Sequence, residues 1–162
     1  IEDLHTDAID GADDMNIVGG RLTMSYGADD ETNSGGPTCI GPAGGQSQAD
    51  TISGATEHAG FTGGADGQNG GQGGSHSAEA IWYNDSMIGV VSGLSESEIV
   101  DQIDAMGAGL GPYTASVSVT AEAGNAPGPG CSRSDDGEDV SYVVELIVFD
   151  YTIAPFIELT DV

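Results

Sequence analysis

The side chains best suited to act as bases, nucleophiles or soft metal ligands are three histidines, His5, His58 and His76, and two cysteines, Cys39 and Cys131. The histidines fall in an acidic N-terminal stretch and in Gly-rich sequence, where nothing predicts a rigid pocket. There is no G-x-S-x-G elbow, and neither cysteine has a basic neighbour to hold it as thiolate. Lysine is absent, and Arg21 and Arg133 are the only arginines, so the usual oxyanion and phosphate clamps are missing. The sequence therefore predicts no catalytic residues and no enzyme. A secreted hydrolase is the least favoured reading, since the fold would have to gather a histidine and several acids in one pocket.

The cysteines match no zinc spacing, and C-x-x-C is absent. Each sits in Gly/Pro-rich, loop-like sequence, whereas buried structural thiols favour apolar elements. A Cys39–Cys131 disulfide is the better use of them and implies an oxidising compartment. It would close a loop of about 90 residues and contribute up to about 4–5 kcal/mol in the chain-entropy model.

Acidic clusters occur at Asp10/Asp13/Asp14, Asp29/Asp30/Glu31 and Asp135/Asp136/Glu138/Asp139. Calcium takes six to eight oxygens from carboxylates and loop carbonyls, and the turn-prone run Asp135-Asp136-Gly137-Glu138-Asp139 offers both. Asp135, Asp136, Glu138 and Asp139 are thus candidate calcium ligands, although they form no EF-hand pattern. The simpler reading is that these acids hydrate the surface, as acids do along the whole chain. No other cofactor is expected. Asn84-Asp85-Ser86 fits the N-glycosylation sequon, with Asn84 as acceptor.

These groups are carried by a chain of 162 residues with 27 acidic and two basic side chains, a formal net charge of -25 and 27 glycines. Such charge strains a compact state by self-repulsion, and at about 1 M salt the Debye length falls to roughly 3 Å and screens it. The composition points to concentrated salt. It disfavours nucleic acid, which needs clustered Lys and Arg, and anionic membranes for the same reason. No apolar run approaches the length of a membrane span. The chain begins at Ile1 rather than Met, as a processed form or a fragment would.

The expected architecture is mainly β, an antiparallel β-sandwich of jelly-roll-like or immunoglobulin-like type, with one short helix and long Gly-rich loops. Residues 1–14 read as an acidic arm, and 15–162 as a single β-rich domain with a Gly-rich insertion at about 27–78. Met15 to Tyr26 is a strand bulged or bent at Gly19-Gly20. Within the insertion, Gly64, Gly67, Gly70 and Gly73 recur every third residue, a spacing that suits polyproline-II-like packing or a flexible linker. Glu79 to Ser92 reads as a hairpin turning at Asn84-Asp85, with Trp82 and Tyr83 packed on Ile88 and Val90. Ser95 and Glu98 form a capping box ahead of Ile99, Ile103 and Met106, and Gly107 closes that helix. Tyr113 to Ala121 alternates as a half-buried strand. Val140 to Thr152 is apolar on both faces, as a central strand would be, and Ile153 to Val162 supplies another.

No specific family is identified. The composition resembles that of haloarchaeal secreted and viral proteins, and residues 60–75 are similar in texture to Gly-rich regions of phage fibre tips and some ice-binding proteins. Neither likeness assigns a residue a role. The reading that follows is a structural subunit of an extracellular filament, cell-surface layer or virion. It would self-assemble with copies of itself or with other structural subunits. Ile1, Leu4 and Ile9 at one end, or Ile153, Phe156 and Ile157 at the other, would be the arms that pair with a neighbour's open edge. The alternative is an adhesin or receptor-binding tip, with the Gly-rich loops, Trp82 and Tyr83 as its surface.

Overall fold

The computed structural model describes residues 1–29, 31–35, 39, 48–70, 74–84, 89, 91–104, 109–126 and 128–155. Over these the chain is mainly β. The strands are β1 (Glu2–His5), β2 (Ile17–Tyr26), β3 (Thr32–Ser34), β4 (Thr51–His58), β5 (Phe61–Gln68), β6 (His76–Tyr83), β7 (Pro112–Thr120), β8 (Ser132–Ser134) and β9 (Ser141–Val148). One helix, α1 (Glu96–Asp104), lies between β6 and β7. Two antiparallel sheets, ordered β1-β7-β4-β5 and β6-β2-β9, make up the body, and β3 and β8 form a separate two-stranded ribbon.

The two large sheets share one apolar core. Leu22, Met24 and Tyr26 of β2 and Ala80 of β6 meet Ile52 of β4 and Ala115 of β7. Leu22, Met24 and Ile52 are fully buried, and each such side chain contributes about 1.5–3 kcal/mol. Alternation sets the inward face of β7, where Tyr113 and Ala115 are buried and Pro112 and Thr114 exposed. The expected irregularity in β2 is present, because its register against β9 slips between Ile17 and Gly19. Gly20 also makes room for Trp82, since a Cβ there would stand 2.8 Å from the indole Nε1.

The stretch expected to be a long loop holds a hairpin. Strands β4 and β5 pair from Thr51↔Gln68 to His58↔Phe61 across a two-residue turn. Both turn residues, Ala59 at φ 49° and Gly60 at φ 89°, are left-handed, as a type I′ hairpin requires. Burial along β5 alternates with the strand period of two and not with that of a three-residue helix, so Gly63 and Gly67 face inward and Gly64 outward. Gly63 is buried, and a Cβ on it would strike the Ile81 backbone of β6. One on Gly67 would strike the Tyr26 hydroxyl. Glycine here lets β5 close down onto β6, so polyproline-II packing is ruled out for residues 61–68.

Other expectations change as well. The acidic arm does not project, because β1 pairs with β7 of the same chain, Glu2↔Ala115 to His5↔Pro112. Among the described residues Val140 to Thr152 does not form a central strand: β9 is an edge, and the Gly-bearing β2 is central, flanked by β6 and β9. β6 pairs with β2, while the proposed turn at Asp85 and the partners Ile88 and Val90 lie outside the described residues. The helix forms with its capping box, Ser95 N–H donating to Glu98 Oε2 at 2.8 Å and Glu98 N–H donating to Ser95 Oγ at 3.4 Å. Met106 and Gly107 lie outside the described residues.

Cys39 and Cys131 are disulfide-bonded across 92 positions. The bridge lies beside the β3–β8 ribbon, and Gly35 at φ 138° leaves space for the Cys39 sulfur. The expected Cys39–Cys131 pairing is thus present, and it ties the chain after β3 to the chain entering β8.

Candidate functional site

Strand register gathers polar groups at one end of the two sheets. Thr51 pairs with Gln68 on one side and Thr120 on the other, so Asp50 falls beside Asn69 and next to the residues leaving β7. Asp50 N–H donates to Asn69 Oδ1 at 2.7 Å, and Glu122 N–H donates to Asp50 Oδ1 at 2.9 Å. Asn69 Nδ2 donates to Glu138 Oε2 at 3.1 Å and to Asp50 Oδ2 at 3.4 Å. The other oxygen of Glu138 accepts from Gly27 N–H at 3.2 Å, which ties the chain leaving β2 to the loop after β8. Asp50 and Asn69 are completely covered, at 1% and 0% exposure.

The ribbon brings in the rest. Arg133 on β8 donates to Glu31 Oε2, just ahead of β3, with both side chains almost wholly buried. Glu31 N–H donates to Asp29 Oδ1 at 3.2 Å, and Gly137 N–H to Asp135 Oδ1 at 2.7 Å. Asp29, Glu31 and Asp135 form a three-carboxylate group whose oxygens lie within 4.8 Å of one another. That set could bind a metal. Asp135 Oδ2 is buried and has no hydrogen-bond donor among the described residues. Asp135 also abuts Asp50, whose pKa is raised above the usual carboxylate value by burial and by this neighbouring carboxylate, although the Glu122 and Asn69 donors pull it down.

Of the four residues singled out in the loop 135–139, only Asp135 enters this group. Glu138 serves Gly27 and Asn69, while Asp136 and Asp139 are exposed. Asp29 and Glu31 were visible as an acidic cluster, but Asp50 and Asn69 carried no local signal. Their meeting follows from the β4–β5 pairing, and recognising Ala59-Gly60 as a turn would have placed them opposite each other.

The histidines occupy separate settings. His5 is exposed and caps Asp7, and His76 stacks on Tyr26. His58 is buried between Trp82 and Tyr113, its Nδ1 2.9 Å from the Pro112 carbonyl, in an aromatic row that Phe61 extends. Tyr113 donates to the Gly109 carbonyl at 2.7 Å, and burial pushes its phenol up to about 12. Trp82 is 4% exposed, which removes it from any binding surface and leaves Tyr83 outside. Asn84 is 8% exposed, and the rest of its sequon, Asp85 and Ser86, lies outside the described residues.

The expected arm residues divide. Ile1, Leu4 and Ile9 are exposed, Ile153 is half-buried, and Phe156 and Ile157 lie outside the described residues. None of the described helices is long and apolar enough to cross a membrane. No family model, no curated protein and no solved structure matches this chain.

Proposed function

We propose that this chain is a non-catalytic structural subunit of an extracellular filament, cell-surface layer or virion from a high-salt environment, assembling through open strand edges. The two facing sheets are read as a β-sandwich with unlike flanks, and that asymmetry carries the proposal. On one flank β5 is closed onto β6 by the glycine contacts. On the other, β1 pairs only with Pro112–Ala115, so Ser116–Thr120 of β7 has no strand on that side among the described residues. The neighbouring edge strand β9 exposes Tyr142, Val143 and Val148, at 41%, 58% and 51%. A cleft of about 80 Å³ lined by Ile1, Glu2, Ala115, Val117 and Tyr142 runs between the two edges.

Unpaired backbone groups beside exposed apolar side chains are a template for an added strand, and monomers normally blunt such edges with lysine, proline or a covering loop. Here β9 has neither lysine nor proline. The disulfide supports an oxidising, extracellular location, and the net charge of -25 supports concentrated salt. The adhesin reading has lost Trp82 from its surface and gains no new feature.

The test is light scattering with negative-stain microscopy across a salt series, on the wild type and on Val143→Lys. Filaments, sheets or shells at high salt that Val143→Lys prevents, without lowering the melting temperature, are the expected result. A folded monomer at every salt concentration would sink the self-assembly reading.

A further inference from the structure

We propose that Asp29, Glu31 and Asp135, backed by Asp50 and Glu138, bind one divalent cation of calcium's size. This stands whether or not the chain self-assembles. Surface-hydrating acids are exposed. Here the Glu31 side chain is 2% exposed, Asp50 is 1% exposed, and Asp29, Asp135 and Glu138 are only half-exposed. Burying a carboxylate is costly unless its oxygens find donors or a cation.

Two observations beyond acidity point to a ligand. The first is Asp135 Oδ2, which is buried without a donor among the described residues and belongs to the three-carboxylate group. The second is the charge balance. The five carboxylates are linked to one another and to one guanidinium, Arg133, which pairs with Glu31, and the only other arginine, Arg21, is paired with Glu145 on β2 and β9. With no lysine in the sequence, the remaining negative charge is met by a cation from solution or by a proton on one of the acids.

The donors are all hard oxygens, which select calcium or magnesium over softer metals. A set drawn from irregular loops suits calcium, since magnesium demands near-octahedral order and retains its water. Asp29 and Glu31 precede β3 and Asp135 follows β8, so a bound ion would fasten one end of the β3–β8 ribbon while the disulfide fastens the other.

The experiment is calorimetric titration of CaCl2 into chelator-stripped protein, at low and at high NaCl, with melting temperatures taken in parallel. One saturable site is expected. It should survive in NaCl, raise the melting temperature and be at least about 10-fold weaker for MgCl2. Asp135→Asn and Asp29→Asn should each weaken calcium by about 10-fold or more. Asp136→Asn changes the net charge equally at an exposed neighbour and should leave binding within about 2-fold. Circular dichroism checks folding, and if Asp135→Asn unfolds, Asp29→Asn decides. If neither variant folds, selective stabilisation of the wild type by CaCl2 over MgCl2 decides. Absence of a saturable site would overturn the proposal and leave a proton shared between Asp50 and Asp135. Equal weakening by all three variants would also overturn it, by showing a diffuse counter-ion atmosphere.

Discussion

The Tyr113 hydroxyl shows how much one buried polar group depends on its partner. It sits beside His58 and Trp82, donates to Gly109, and is pushed up to about 12 by burial. A phenol with a folded pKa above its unfolded value of about 10 adds stability that is complete below pH 10. That contribution fades as pH rises towards the folded value of about 12. Tyr113→Phe should therefore lose about 1 kcal/mol at neutral pH, through the missing hydrogen bond. It should also flatten the alkaline loss of stability and abolish the last phenol to ionise in an ultraviolet titration. If that last ionisation persists in Tyr113→Phe, the assignment is wrong. Sequence placed Tyr113 on the inward face of an alternating strand, but could not supply Gly109 as its acceptor, because that contact depends on the turn into β7.

Among the elements, β5 was the least legible and is the most informative. Its sequence, FTGGADGQ, has one large apolar residue, so hydropathy gives no strand period. The turn before it uses Ala59 where asparagine or aspartate is usual, so the hairpin signal was also weak. What defines the strand is the space it fills. Gly63 faces the Ile81 backbone with no room for a Cβ, whereas a Cβ on outward Gly64 would meet nothing nearer than the Gly54 carbonyl at 3.8 Å. Gly63→Ala should therefore destabilise the fold by about 1–3 kcal/mol, as overpacking does. Gly64→Ala should be neutral or slightly stabilising, since alanine loses less backbone freedom on folding. Denaturant unfolding of the two variants measures the difference, and equal effects would mean that β5 does not press on β6. The capping box of α1 and the alternation of β7 were readable because local chemistry alone specifies them. Mistaking β9 for a central strand has the opposite origin: its apolar outer face is real, and the described fold leaves it uncovered.

At the scale of the whole molecule, charge gives the response to salt a definite sign. Salt weakens attraction and repulsion alike, so in a balanced protein the outcome depends on geometry. This chain has 27 acids and two arginines, and both arginines are engaged, Arg21 with Glu145 and Arg133 with Glu31. The Arg133 pair is nearly buried, which shields it from screening, and the Arg21 pair is partly exposed and contributes about 1 kcal/mol or less. Salt therefore has little attraction to remove and a great deal of repulsion to relieve. In chelator-containing buffer, where no divalent ion can intervene, the melting temperature should climb by several degrees between about 0.1 M and 1 M NaCl, as the Debye length shrinks from about 10 Å to 3 Å. The gain should then level off, because beyond that point screening has little range left to lose. Scanning calorimetry at low protein concentration separates this effect from assembly, which would make the transition concentration-dependent. A melting temperature that is flat or falls with NaCl would show that the acids are already spaced widely enough to coexist, and high salt would lose its place in the proposed function.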